Sequence, residues 1–147
     1  VTRYDIIAAA RSQLGVRYQH QAAVRGVACD CVGLLAIVGE ICGLGEAATW
    51  AADPRRHAYA RAPDPAMLRE AAADYLDPID LAAAGLGDVL LMRYRLQQAP
   101  SHFSIVSMLG PLYGVHAYAS VGKVVENRVE GWTLFRIVAA YRFKGLT

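Results

Sequence analysis

The sequence predicts an α+β fold in which N-terminal helices pack on an antiparallel sheet. Three observations predict it. Helix caps and helical apolar spacing belong to the first half of the chain, strand-like segments divided by turn residues fill the second, and the 147 residues are 55% hydrophobic. Helices first and strands afterwards argue for segregated layers rather than alternating βαβ units. A chain of this size and composition can build one core with no disulfide or metal staple. The expectation is therefore a single domain over residues 1–147, carrying a surface insertion at about 44–81.

The first helix opens at Thr2, with Asp5 in the acidic position of a capping box, and Gly15 supplies a stop. Ile6, Ile7, Ala10 and Leu14 fall on one of its faces. A polar loop, VRYQHQAAVRGVA, follows, with Gly26 offering a tight turn. Asp30 caps a second helix that runs from Cys31 to Cys42 and closes at Gly43. It is apolar nearly all round and so must be buried. The stretch from Leu44 to Pro65 holds Gly, Asp, Arg and three prolines without a clean period, and reads as a surface loop. Pro65 then opens a third helix, MLREAAADYL, which ends before Pro78. After Gly85 and Gly87 come the strand-like segments DVLLMRY, HFSIVSML, YGVHAYA, KVVENRV and IVAAYRF, read as an antiparallel meander.

Composition narrows the functional classes. The net charge of +2 is mild and spread along the chain, which suits an anionic polymer surface and makes no demand for nucleic acid. No apolar run reaches the ~20 residues needed to span a bilayer. The N-terminal stretch carries Arg3, Asp5 and Arg11 among its apolar positions, so it reads as an amphipathic helix and not as a signal peptide. Three cysteines cannot form a complete internal disulfide framework, and Cys29 and Cys31 are too close in sequence to bridge each other; reduced thiols are expected.

Cys31 stands at the start of the buried helix, where free N–H groups and the helix dipole favour an anion and lower a thiol pKa. A thiol nucleophile also needs a base and a group to orient it. His102 opens a strand, and His116 lies on the next one, within reach across an antiparallel pair. By spacing alone two readings stand: a Cys–His–His catalytic set, or a buried apolar thiol with two structural histidines. Cys29 and Cys42 read more simply as apolar packing. His20 and His57 fall in loops. A zinc site on Cys29, Cys31 and histidines lacks the Cys-x-x-Cys or His-Glu-x-x-His spacing that would support it.

The string ACDCVGLL closely resembles the nucleophile motif of NlpC-type cell-wall peptidases, a papain-like family. In that family the motif follows a tyrosine-containing loop, here LGVRYQHQ with Tyr18. Next come a Gly-Asp opening a strand, here GLGDVLLM, a histidine heading the following strand, here SHFSIV, and a third polar residue on the strand after that, here VHAYASVGKVVE. Five landmarks in order make a more specific match than any one alone. Two positions depart from the pattern: Val32 stands where relatives commonly have Ser, and His20-Gln21 where they often have a Gly pair. The wording of YQHQAAVRGVACDCVGLL, VHAYASVGKVVE and the closing AAYRF resembles one subgroup, the peptidases of phage tails and gene-transfer agents.

The resemblance implies a papain-like NlpC fold and a cysteine endopeptidase of peptidoglycan stem peptides, cutting the D-γ-glutamyl–diaminopimelate bond. It implies Cys31 as nucleophile, His102 as base and His116 as the orienting residue. Tyr18, Asp30 and Ser101 fall where relatives bind the stem peptide. No metal or organic cofactor is implied. The expected partners are the stem peptide and the hub or baseplate proteins of a phage-like tail. Assembly in the bacterial cytoplasm and action in the wall of the target cell follow from the same subgroup. Two other readings accompany it: a baseplate docking module with the same fold and little hydrolysis, and an amidase or acyltransferase using the same thioester.

Overall fold

Thr2 begins the first helix, α1 (Arg3–Arg11), through the expected capping box: its hydroxyl accepts the Asp5 N–H at 3.2 Å, and the Asp5 carboxylate accepts the Thr2 N–H at 2.7 Å. The computed structural model describes residues 1–44, 73, 75–93, 102–129 and 136–147. Ile6, Ile7, Ala9 and Ala10 form the buried face of α1. Leu14, expected on that face, lies beyond the Ser12 C-cap, where the chain has left the helical path, and is exposed.

The polar loop contains more regular structure than its composition suggests. Three two-residue strands occur there: β1 (Arg17–Tyr18), β2 (Ala23–Val24) and β3 (Ala28–Cys29). The second helix, α2 (Cys31–Ile41), follows at once. Every residue from Cys31 to Gly39 is buried, as the all-round apolar pattern requires. Its end is a complete Schellman closure: Gly43 at φ +69° donates to the Glu40 carbonyl, and Leu44 donates to the Gly39 carbonyl at 2.8 Å. Leu34, Ile37 and Val38 face the core with Ile6, Phe103, Ile105, Val115 and Phe143. Burying one such side chain contributes about 2 kcal/mol.

Residues 45–72 and 74 lie outside the described residues, and with them most of the expected insertion and of the third helix. Ala73 and Tyr75 are helical, but Leu76 belongs to a strand, β4 (Leu76–Ile79), and a 3-10 turn covers Leu81–Ala83. Pro78 sits within β4, an edge strand, where a missing N–H is tolerated. The expected strands then appear as β5 (Val89–Met92), β6 (His102–Met108), β7 (Tyr113–Tyr118), β8 (Lys123–Arg128) and β9 (Ile137–Phe143).

Among the described residues these form one nine-stranded sheet in the order β2-β3-β1-β8-β7-β6-β5-β9-β4. Among the described residues every strand pairing is antiparallel except β1 with β3. From β5 to β8 the meander holds. The last strand departs from it: β9 returns to pair with β5, because β1 already occupies the outer edge of β8. Its Tyr141 meets Phe103 edge to face, with ring centroids 6.3 Å apart, and its Phe143 is fully buried.

The Gly-Asp pair before β5 has a structural role. Asp88 is wholly buried and accepts two hydrogen bonds from Arg142 at 2.8 Å, one from Arg3 at 3.2 Å and one from the Gly85 N–H at 2.8 Å. One carboxylate thus ties α1, β5 and β9 together.

Candidate active site

The site begins with Asp30. As the N-cap of α2 its Oδ1 accepts the Gly33 N–H at 2.7 Å. Its Oδ2 accepts the Gln21 N–H at 2.9 Å, and its own N–H donates to the Ala22 carbonyl at 3.1 Å. The loop over residues 19–22 is therefore pinned onto the first turn of the helix. Gly33 makes this approach possible, since a Cβ there would stand 2.0 Å from the Ala22 oxygen. Gln21 sits at φ +67°, the one described non-glycine residue with positive φ. It occupies one of the two positions where the resembled family often carries glycine.

Cys31, the first residue of α2, is 6% exposed. Backbone N–H groups of Phe103, Val32 and Cys31 itself act on its sulfur to favour the thiolate, as its place at a helix start predicts. Burial outweighs them. It pushes the thiol up to about 12, and the Asp30 charge adds to the shift. The lowering expected from the helix start is thus corrected: burial wins, and the Cys31 thiol stays neutral. The Phe103 amide places the sulfur at the head of β6, one residue from His102.

His102 and His116 are both buried, and His102 Nε2 lies 2.5 Å from His116 Nδ1. Their rings meet edge to face with centroids 4.8 Å apart. Burial, reinforced by His116, lowers the His102 pKa to about 3. His116 is lowered too, chiefly by burial, against a hydrogen bond to Asn127 that favours its charged form. Tyr118 stacks on His116 at 5.1 Å and tilts against His102 at 5.8 Å, covering one side of the pair. The contact with His116 is made through His102 Nε2.

Tyr18 stands beside Cys29 across the β1–β3 pairing and is half-buried. Its phenol is pushed up to about 12 by burial first, then by proximity to Cys31, Asp30 and Cys29. It therefore stays a neutral donor next to the nucleophile. Cys29 is fully buried, and burial followed by Asp30 raises its thiol to about 12. Cys42 is half-buried at the far end of α2, and none of the three cysteines is in a disulfide. Val32, in the place of the family's Ser, is buried in the core cluster; its backbone N–H still faces the sulfur. Ser101 and His57 lie outside the described residues, and His20 is exposed.

The structure therefore gathers Tyr18, Asp30 and Cys31 at the start of α2, and His102 with His116 across β6 and β7. It adds Asn127 on β8, whose Oδ1 lies 2.9 Å from His116 Nε2. The sequence did not single out that residue. Its only signal is a polar side chain on the strand after His116, and that acquires meaning only with the β7–β8 register in hand.

No protein-family model matches the chain, and no curated protein does. Solved structures do. An NlpC/P60 family protein from Bacillus cereus superposes with a TM-score of 0.69 at 14% identity, over 97% of this chain and 40% of that one. The NlpC/p60 domain of the peptidoglycan hydrolase SagA gives 0.61 at 18% identity, over 97% and 100%. The peptidoglycan hydrolase RipB from Mycobacterium tuberculosis gives 0.59 at 20% identity, over 95% and 63%. This chain spans about two fifths of the length of the Bacillus cereus protein. The fold is that of NlpC/P60 domains.

Proposed function

We propose that this chain is a cysteine peptidase of peptidoglycan stem peptides, with Cys31 as nucleophile, His102 as base and His116 as the residue that orients it. The observation that carries the reading is the arrangement at the head of β6. A thiol at a helix N-terminus meets the N–H of Phe103, the residue after a buried histidine whose Nε2 is held by a second histidine. Similarity of fold to peptidoglycan hydrolases supplies the substrate class.

Thiol and imidazole both rest neutral, so the proton moves as the nucleophile attacks. His102 Nδ1 takes the proton from Cys31 Sγ, and the sulfur bonds to the scissile carbonyl carbon. The carbonyl electrons shift to oxygen, where the Cys31 N–H and the neutral Tyr18 hydroxyl can stabilise the oxyanion. The C–N bond then breaks, and the amine leaves with the proton held by His102. Water attacks the thioester, giving its proton to His102, and the thiol is restored with release of the acid. Asp30 holds the helix start and the 19–22 loop through its hydrogen bonds. As a stem-peptide contact it joins Tyr18 and Ser101, by family analogy.

The finer reading is cleavage between D-γ-glutamate and diaminopimelate by a protein carried on a phage-like tail or baseplate, docked to hub proteins, within a single 1–147 domain. It is supported by the wording of the nucleophile and His116 motifs. Mass spectrometry of diaminopimelate-type peptidoglycan, incubated with wild type and with Cys31→Ala, tests the whole. New amino termini on the diamino acid with wild type alone bear out the peptidase. Release by neither protein under reducing conditions favours the docking module, and equal release by both removes Cys31 from the chemistry.

A further inference from the structure

Three polar side chains form one diagonal line across three strands. The β7–β8 register sets His116 opposite Val125, so Asn127 lies two residues along on the same side of the sheet. The β6–β7 register, Ile105 opposite Val115, brings His102 to the other diagonal of His116. The contacts follow this line: Asn127 Oδ1 to His116 Nε2 at 2.9 Å, then His116 Nδ1 to His102 Nε2 at 2.5 Å.

The proton positions along the line are linked. An amide oxygen only accepts, so the Nε2 facing it must carry the hydrogen. A neutral His116 with hydrogen on Nε2 has a bare Nδ1, which accepts. The facing Nε2 of His102 must then donate, and a neutral His102 is left with a bare Nδ1. That is the form a base needs. A donor in place of the Asn127 oxygen would reverse every step and put a hydrogen on His102 Nδ1, closing it to the thiol.

We propose that Asn127 is a positioning residue whose amide oxygen sets the tautomer of both histidines and keeps His102 Nδ1 open as the proton acceptor. The inference rests on His102 acting as the base for Cys31. Asn127 touches neither the thiol nor the scissile bond; it acts through His116. In serine triads, losing the correct tautomer costs about 10⁴ in kcat. Asn127 is exposed, and water can take over part of its accepting role, so the expected loss here is nearer tenfold. The same exposure makes the position tolerant of replacement.

Two measurements at pH 8 on Asn127→Leu and Asn127→Asp separate the possibilities. The first is the ring ¹⁵N spectrum of histidine-labelled protein, which reads tautomers whether or not the protein cleaves anything. Wild type is expected to show both buried histidines with hydrogen on Nε2. Asn127→Asp, which keeps an acceptor, is expected to match it, and Asn127→Leu to show a share of hydrogen on Nδ1. The second is hydrolysis of a stem peptide: Asn127→Leu lowers kcat about tenfold at unchanged KM, and Asn127→Asp restores most of it. Wild-type tautomers in Asn127→Leu, or equal loss in both variants, would overturn the proposal. Correct tautomers in a wild type that cleaves no stem peptide would instead count against the peptidase reading, leaving the proton relay standing.

Discussion

Gly33 and Gln21 show how closely the start of α2 around Cys31 is framed by single residues. At Gly33 an added Cβ would meet the Ala22 carbonyl, a backbone atom held in place by the Asp30 N–H. Gly33→Ala is expected to cost about 2 kcal/mol, the range of overpacking in a close-fitted site, and to displace the 19–22 loop. Urea denaturation reads the first effect, and amide exchange of Gln21 and Asp30 the second. Gln21 has the opposite sign. A side chain at φ +67° is strained, whereas glycine adopts that geometry freely at some cost in unfolded-state entropy. Gln21→Gly should stabilise by up to about 1 kcal/mol; a loss in the same denaturation measurement would show that the side chain contributes contacts outweighing its strain. That His102 and His116 meet across neighbouring strands was legible in the sequence, from a histidine at the head of one strand-like segment and another on the next. Asn127 was not, since its role depends on a strand register that no local pattern encodes.

At the level of elements, Asp88 joins three pieces remote in sequence. Removing it strips α1, β5 and β9 of their common carboxylate and leaves Arg3 and Arg142 without their partner. Both arginines are about one-third exposed and can regain water, so Asp88→Ala should cost about 3 kcal/mol, the low end for a broken buried pair. The urea midpoint checks this, and an unchanged midpoint would mean the tie is redundant. Helices α1 and α2 and the strands β5 to β9 could be read from caps, apolar runs and alternation. The strands β1, β2 and β3 could not: two residues carry no period, and their pairing comes from the loop folding back on the Asp30 cap. Leu76 looked helical by continuity with the preceding alanines, but pairing with Phe143 draws it into the sheet.

For the molecule as a whole, two sets of buried groups govern acid stability in different pH windows. His102 is lowered to about 3 by burial and by His116, and His116 is lowered as well. In the unfolded chain both return to about 6.5. Between those values the unfolded state binds more protons, so this stability is present above about 6.5 and is lost as pH falls toward 3. Asp88 acts lower down. Burial raises its pKa, but hydrogen bonds from Arg142, Gly85 and Arg3 outweigh that and hold it below the ordinary value of 3.8. Its contribution is therefore present above 3.8 and lost only as pH falls through the lower folded value. Urea midpoints between pH 7.5 and 4.5 should fall steadily, reaching a loss on the order of a few kcal/mol at the acid end. A flat profile there would show that the two histidines carry charge inside the fold.

The return of β9 to the edge of β5 has a consequence for how the molecule is made. Synthesis delivers α2 early, while the strand that seals β5 and seats Tyr141 and Phe143 beside Phe103 emerges after the other described strands. Until residues 137–143 leave the ribosome, β5 keeps a bare edge and Phe103 of β6 lacks its contact with Tyr141. A chain that stops short of residue 137 thus presents the Cys31 helix to a sheet whose β5 edge is still unpaired on that side.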